Sequence, residues 1–168
     1  TSIELGSGGC GDWTVANTAG SADLSIGGSG SIRAGTSSSL QASISGSGDI
    51  TAGATGELDA SVSGSGTITV AGATGDVDAA ISGSGDIRVN SGRPRSVDAS
   101  IAGSGDIIVT GDAGPLDASI AGSGNITVTG TAASVDASLL GGGDVRVGRV
   151  TGSVSQSVMG GGRVRIGN

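Results

Sequence analysis

The chain has 168 residues and a formal net charge of −7, with 36 Gly, 28 Ser and 2 Pro, one Trp, and no His, Lys, Phe or Tyr. Base-stacking nucleic-acid grooves are excluded by the missing aromatics and repelled by the negative charge, and paired carboxylates are left as the main general acid–base resource. A mean hydropathy of +0.20 with 14% charged residues excludes a solvated random chain, so a periodic structure has to bury the apolar third.

The period is visible from the first residues onward. A Gly-x-Gly triplet begins at Gly9, Gly28, Gly46, Gly64, Gly83, Gly103, Gly122, Gly141 and Gly160, at intervals of 18 to 20 residues. Nine copies fill the chain and leave no room for a second domain or linker, so residues 1–168 read as one domain. The first copy, about residues 1–22, carries Gly9-Cys10-Gly11 and Trp13. Cys10 has no intramolecular partner for a disulfide and reads as a small side chain on an outward turn. Trp13 falls in a column otherwise made of Ile and Val, and reads as a hydrophobic plug at one end of the structure.

The middle copies follow a consensus V-D-A-S-I-S-G-S-G-D-I-T-V, nearly intact from Val77 to Val89 and from Val97 to Val109. Apolar and polar residues alternate on both sides of the triplet, and this period of two with branched side chains predicts strands. Inward columns are expected at Leu40/Leu58/Val77/Val97, at Ala42/Ala60/Ala79/Ala99, at Ile44/Val62/Ile81/Ile101, and after the triplet at Ile50/Ile68/Ile87/Ile107 and Ala52/Val70/Val89/Val109. Each copy is therefore strand, glycine corner, strand and return loop. The segment from the Asp column to the next triplet is constant at five residues, and all length variation falls in the return, as at Asn90 to Ser96. Identical segments at one fixed period stack on their own copies, which predicts parallel pairing. The expected fold is all-β: a single-stranded, right-handed parallel β-helix (β-solenoid) of about 8–9 coils, each rising ~4.8 Å. Glycine at the corners is expected to serve positive φ and the close approach of backbones. The last copies replace the corner by Gly-Gly-Gly at Gly141 and Gly160. Residues of about 154–168 are expected to cap the far end, as residues 1–22 cap the near one.

Outward columns stack into ladders. One runs Asp23, Gln41, Asp59, Asp78, Asp98, Asp117 and Asp136; a second follows the corner as Asp12, Ser31, Asp49, Thr67, Asp86, Asp106, Asn125, Asp144 and Arg163. Carboxylates ~4.8 Å apart repel by roughly 1 kcal/mol in water, so such ladders are expected to show raised pKa values or to recruit cations. The simplest role for the Asp residues is to cap strand ends by accepting backbone N–H bonds and to keep the surface soluble. Cation or basic-surface binding along the column is the alternative. Gly141 to Val147 resembles a calcium-binding roll motif in composition, but the nine-residue period that such a roll requires is missing. A glycosidase pair needs one distinguished acid and one base in a cleft, and a uniform ladder distinguishes no coil. The Thr column of Thr51, Thr69 and Thr127 is interrupted by Arg33, Arg88, Ile108, Arg146 and Arg165, which breaks an ice-like lattice. Ser43, Ser61, Ser100, Ser119, Ser138 and Ser157 form a small-residue outer face, read as solvated. No catalytic, cofactor-binding or metal-ligating residue is assigned. Charge is uneven: residues 1–86 carry nine acids and Arg33, whereas residues 87–168 carry six acids and seven Arg. Self-association through the rod ends is one expectation, and charged caps that blunt the ends are the other.

The copies Ile44-Ser-Gly-Ser-Gly-Asp-Ile50, Ile81-Ser-Gly-Ser-Gly-Asp-Ile87 and Ile101-Ala-Gly-Ser-Gly-Asp-Ile107 resemble the repeats of the bacterial head GIN domain family, a domain of unknown function also called an auto-transporter adhesin. The resemblance spans nearly the whole chain. It implies a right-handed β-solenoid similar to pectin-lyase-type helices, without catalytic residues or cofactor. It also implies a protein exported to the periplasm, outer membrane or exterior, with a carbohydrate or an envelope or surface protein as partner. The function expected is a non-enzymatic adhesion or structural module, with a polysaccharide-acting lyase or hydrolase on the same scaffold as the alternative. No run of the chain approaches the roughly 18 apolar residues of a membrane helix, and no signal-peptide pattern follows Thr1.

Overall fold

The computed structural model describes residues 1–167; Asn168, the last residue of the expected terminal coil, lies outside them. The described residues form sixteen strands and no helix. Every strand pairing is parallel. Each segment between the terminal coils pairs with the same segment one copy earlier and one copy later, and the terminal strands pair on one side. Ala42 thus lies between Leu24 and Ala60, and Ile107 lies between Ile87 and Ile126. The chain is a β-solenoid of stacked coils, one for each of the nine triplets.

Burial follows the alternation residue by residue: Ser21–Ile26 and Ser96–Ile101 each point every second side chain into the core. Ile50, Ile68, Ile87, Ile107 and Ile126 are wholly inaccessible to solvent. Each such side chain contributes roughly 1.5–3 kcal/mol of burial, but only because the coils above and below cover it.

The corners hold the stack together as well as turning the chain. From the second corner to the eighth, the N–H of the central residue donates to the carbonyl of the first glycine one corner earlier, as in Ser47 N–H to Gly28 O at 3.1 Å and Ser65 N–H to Gly46 O at 3.0 Å; in the last corner Gly162 N–H donates to Gly141 O at 3.0 Å. A side chain on Gly46 would collide with the Gly28 carbonyl directly beneath it. Positive φ is not what these corners require. Among the described residues it occurs only at Gly92, Gly111, Gly141 and Gly160, two in return arcs and two opening the Gly-Gly-Gly corners. The Gly-Ser-Gly corners need glycine for the vertical approach alone, which corrects half of the expectation.

The return is also more ordered than a loop. Asp49–Val62 and Asn125–Gly141 run as single strands through the return arc into the following coil. Ser37 pairs with Thr55, Thr55 with Ala73, and Ala113 with Ala132. Thr55, Ala73, Ala113 and Ala132 are buried and add an inward column of small residues on this third side.

The ends differ from the middle. Trp13 is in register with Ile32, as its column requires, yet 48% of its surface is exposed because no coil of the described residues lies beneath it. It therefore does not seal the end as a plug. Val154, Val158 and Met159 in the last coil are likewise exposed. Cys10 is exposed at its corner, with the Ser29 hydroxyl donating to its Sγ at 3.3 Å.

Candidate functional site

Two Asp-rich ladders have opposite chemistry, and the difference arises from where the strand meets the corner. The residue just after the corner lies where its carboxylate reaches the next coil's backbone. Asp12 Oδ1 accepts the Ser31 N–H at 3.1 Å, Asp49 Oδ1 the Thr67 N–H at 3.1 Å, and Asp86 Oδ1 the Asp106 N–H at 3.1 Å. The chain of bonds continues through Asp106, Asn125 and Asp144 to the Arg163 N–H. Arginines two residues on close the arrangement laterally, with Arg88 Nη2 3.4 Å from Asp86 Oδ2 and Arg146 Nη2 3.8 Å from Asp144 Oδ2. These carboxylates are structural: they cap the stack, as the simplest reading of the sequence predicts.

The ladder before the corner is different. Asp59, Asp78, Asp98, Asp117 and Asp136 stand in consecutive register, coil upon coil. All five are exposed. Among the described residues none of them forms a side-chain hydrogen bond or ion pair. Mid-strand, both neighbouring backbones are already paired in the ladder, so no free N–H is within reach. Strand pairing is what forces these like charges together. Burial raises the Asp78 carboxyl above its ordinary value, and the charges of Asp98 and then Asp59 add to that. Asp117 is raised for the same reasons, with Asp98 and Asp136 as its neighbours.

Two open grooves lie along this face. The first, about 430 Å³, runs past Asp23, Gln41, Glu57, Asp59, Asp76 and Asp78. The second, about 400 Å³, runs past Asp98, Asp117 and Asp136, with Pro115 and Ser134 on the return-arc side. Glu57 and Asp76 were not recognised as members of this surface from sequence. They lie two residues before Asp59 and Asp78, at the edge of the return arc, and their shared outward parity was the available signal. Asp76 Oδ1 accepts a hydrogen bond from the Ser96 hydroxyl at 2.9 Å, and Arg95, 3.8 Å away, partly offsets its charge.

A family model described as "Putative auto-transporter adhesin, head GIN domain" matches residues 1–74 and 73–168. The chain belongs to the head GIN domain family. Comparison with curated proteins finds no match, and comparison with solved structures finds none. The family description is that of an adhesin-like surface domain. In this head GIN domain the exposed serine column, Ser43, Ser61, Ser100, Ser119 and Ser138, separates the pre-corner Asp ladder from the corners. Among the described residues no three or more His, Cys, Asp or Glu side chains come together as a single metal-holding group. The ladder is linear and distributes its charge rather than focusing it. No described helix is long and apolar enough to cross a membrane.

Proposed function

We propose that this head GIN domain is a non-enzymatic module of the bacterial cell envelope that binds a partner along its pre-corner face. The observation that carries the reading is the run of five in-register carboxylates without partners, facing two open grooves. Carboxylates of this kind accept hydrogen bonds from sugar hydroxyls or pair with cationic groups, and they repel phosphorylated or otherwise anionic ligands. Each coil offers one weak contact, and the coil repeat multiplies it along the rod. A carbohydrate or an envelope or surface protein fits this pattern, and export to the periplasm, outer membrane or exterior accords with it. A polysaccharide-cleaving activity would instead need one coil whose acid differs from the rest.

The test is a binding screen against neutral and acidic glycans and against basic envelope proteins, run on the wild type and on the triple variant Asp59→Asn, Asp98→Asn, Asp136→Asn. The wild type should retain ligands that the variant loses by tenfold or more, without product formation. Turnover of a glycan that a single Asp→Asn change abolishes would overturn the proposal, as would equal binding by both proteins.

A further inference from the structure

The two ends of the solenoid are complementary to each other. Trp13, Val154 and Val158 belong to inward columns and are left exposed among the described residues where the stack of coils stops, whereas the exposed Leu140 and Met159 stand on the outward side of their strands. Side-chain charge is segregated in the same way. Residues 1–27 hold three acids, Glu4, Asp12 and Asp23, and no Arg, whereas residues 141–167 hold Arg146, Arg149, Arg163 and Arg165 against Asp144 alone.

Register defines what would meet if one copy were stacked on another. The final coil ends its columns in Val154, Val164 and Ile166, and the first coil begins the same columns with Ile3, Trp13 and Val15. The column of structural carboxylates begins at Asp12 and ends at Arg163, so its two termini are of opposite charge. The terminal strands Val154–Met159 and Arg163–Ile166 pair on one side only, with Asn125–Gly141 and Asp144–Val150. Among the described residues no helix covers either end, and the terminal strands carry charge rather than Pro, Glu4 in the first coil and Arg163 and Arg165 in the last, so a partner at either end has to match that charge.

We propose that the occupant of each end is a second copy of this chain, stacked head to tail so that the last coil of one rod continues into the first coil of the next, with Arg163 against Asp12 and Val164 against Trp13. The contact is heterologous and does not close on itself, so it generates open linear assemblies rather than a fixed dimer. It is independent of the ligand reading of the lateral face, because neither end coil contributes to the five-carboxylate ladder.

Sedimentation velocity over a wide concentration range tests this, with charge swaps as the decisive arm. The wild type should show a weight-average mass that climbs with concentration, and a rise from roughly 50 to 500 mM salt should weaken association severalfold. Asp12→Arg and Arg163→Asp should each weaken it tenfold or more. Mixing the two variants should restore assembly, since Arg163 of one meets Asp12 of the other and the swapped pair completes the second contact. Recovery in the mixture also shows that neither variant failed to fold. Any longer natural chain is measured in parallel. A wild type that stays monomeric, assembly unaffected by either swap, no recovery on mixing, association confined to the 168-residue form, or a monomer that instead pellets with anionic vesicles would each overturn the proposal.

Discussion

Asp106 Oδ1 accepts two hydrogen bonds from Asn125 in the coil above, one from the backbone N–H and one from Nδ2, both at 3.0 Å. Asn125 in turn uses its Oδ1 to accept the Asp144 N–H at 3.1 Å, so one amide side chain links three coils. Asp106→Ala removes both acceptor contacts and should cost about 1–2 kcal/mol in denaturant unfolding. Asn125→Asp should cost a similar amount, because it turns the Nδ2 donor into a carboxylate facing another carboxylate. An unchanged midpoint in either variant would show that these bonds are exchanged for water without loss.

The unpartnered ladder sets a pH dependence. Asp78 and Asp117 bind a proton more tightly in the folded chain than at their ordinary value of 3.8, chiefly through burial and then through neighbouring Asp charges. The stability they contribute is fully present below 3.8 and is lost as pH rises through their raised folded-state values. Their contribution to Tm should therefore increase as pH falls from 7 toward 4. Thermal melts of the wild type and of the Asp78→Asn, Asp117→Asn variant should diverge in slope over this window, and superimposable profiles would rule the effect out.

Relief of like-charge repulsion gives a companion test at fixed pH. Asp98 stands between Asp78 and Asp117 in register. Asp98→Asn should stabilise the fold at pH 7 by a few tenths of a kcal/mol, since like charges directly opposite across strands are unfavourable by about 0.2–1 kcal/mol. The gain should shrink as salt is added. A loss of stability would mean that Asp98 has a favourable partner.

Corner glycines can be ranked by what lies beneath them. A Cβ on Gly66 would meet the Gly48 carbonyl and come within 2.8 Å of Ile44 Cγ2, whereas one on Gly142 meets nothing within 4 Å. Gly66→Ala should destabilise by about 1–3 kcal/mol or more, and Gly142→Ala by no more than about 0.5 kcal/mol. Equal effects in chemical denaturation would contradict the stacking argument.

The core should weaken toward its ends. Ile87 is fully buried mid-rod, so Ile87→Ala should cost about 2–5 kcal/mol. Val154 is 44% exposed, and Val154→Ala should cost well under that. Amide exchange should be fastest in Val154–Met159 and Arg163–Ile166 and slowest in central strands such as Asp106–Val109. Uniform protection along the rod would contradict this.

The inward columns on either side of each corner were legible because the triplet fixes their register, and Ile44, Ile50 and Val70 fall where the alternation places them. The third side was not, because the return arc varies in length and its column is built from small residues such as Ala73 and Ala113 that alternation does not flag. Nor could spelling separate the two acidic ladders. Asp78 and Asp86 recur in equivalent ways from copy to copy, and only the path of the backbone decides which of them finds the N–H of the next coil. Trp13 shows the same limit: its column was readable, but the missing cover beneath it was not.

The position of that indole has a practical result. Trp13 is the only Trp in a chain without Tyr or Phe, so near-ultraviolet absorbance and intrinsic emission come almost wholly from one terminal coil. Emission will register fraying of that coil, while far-ultraviolet dichroism averages over all nine. Midpoints from the two signals therefore need not coincide, and the gap between them measures how independently the first turn melts.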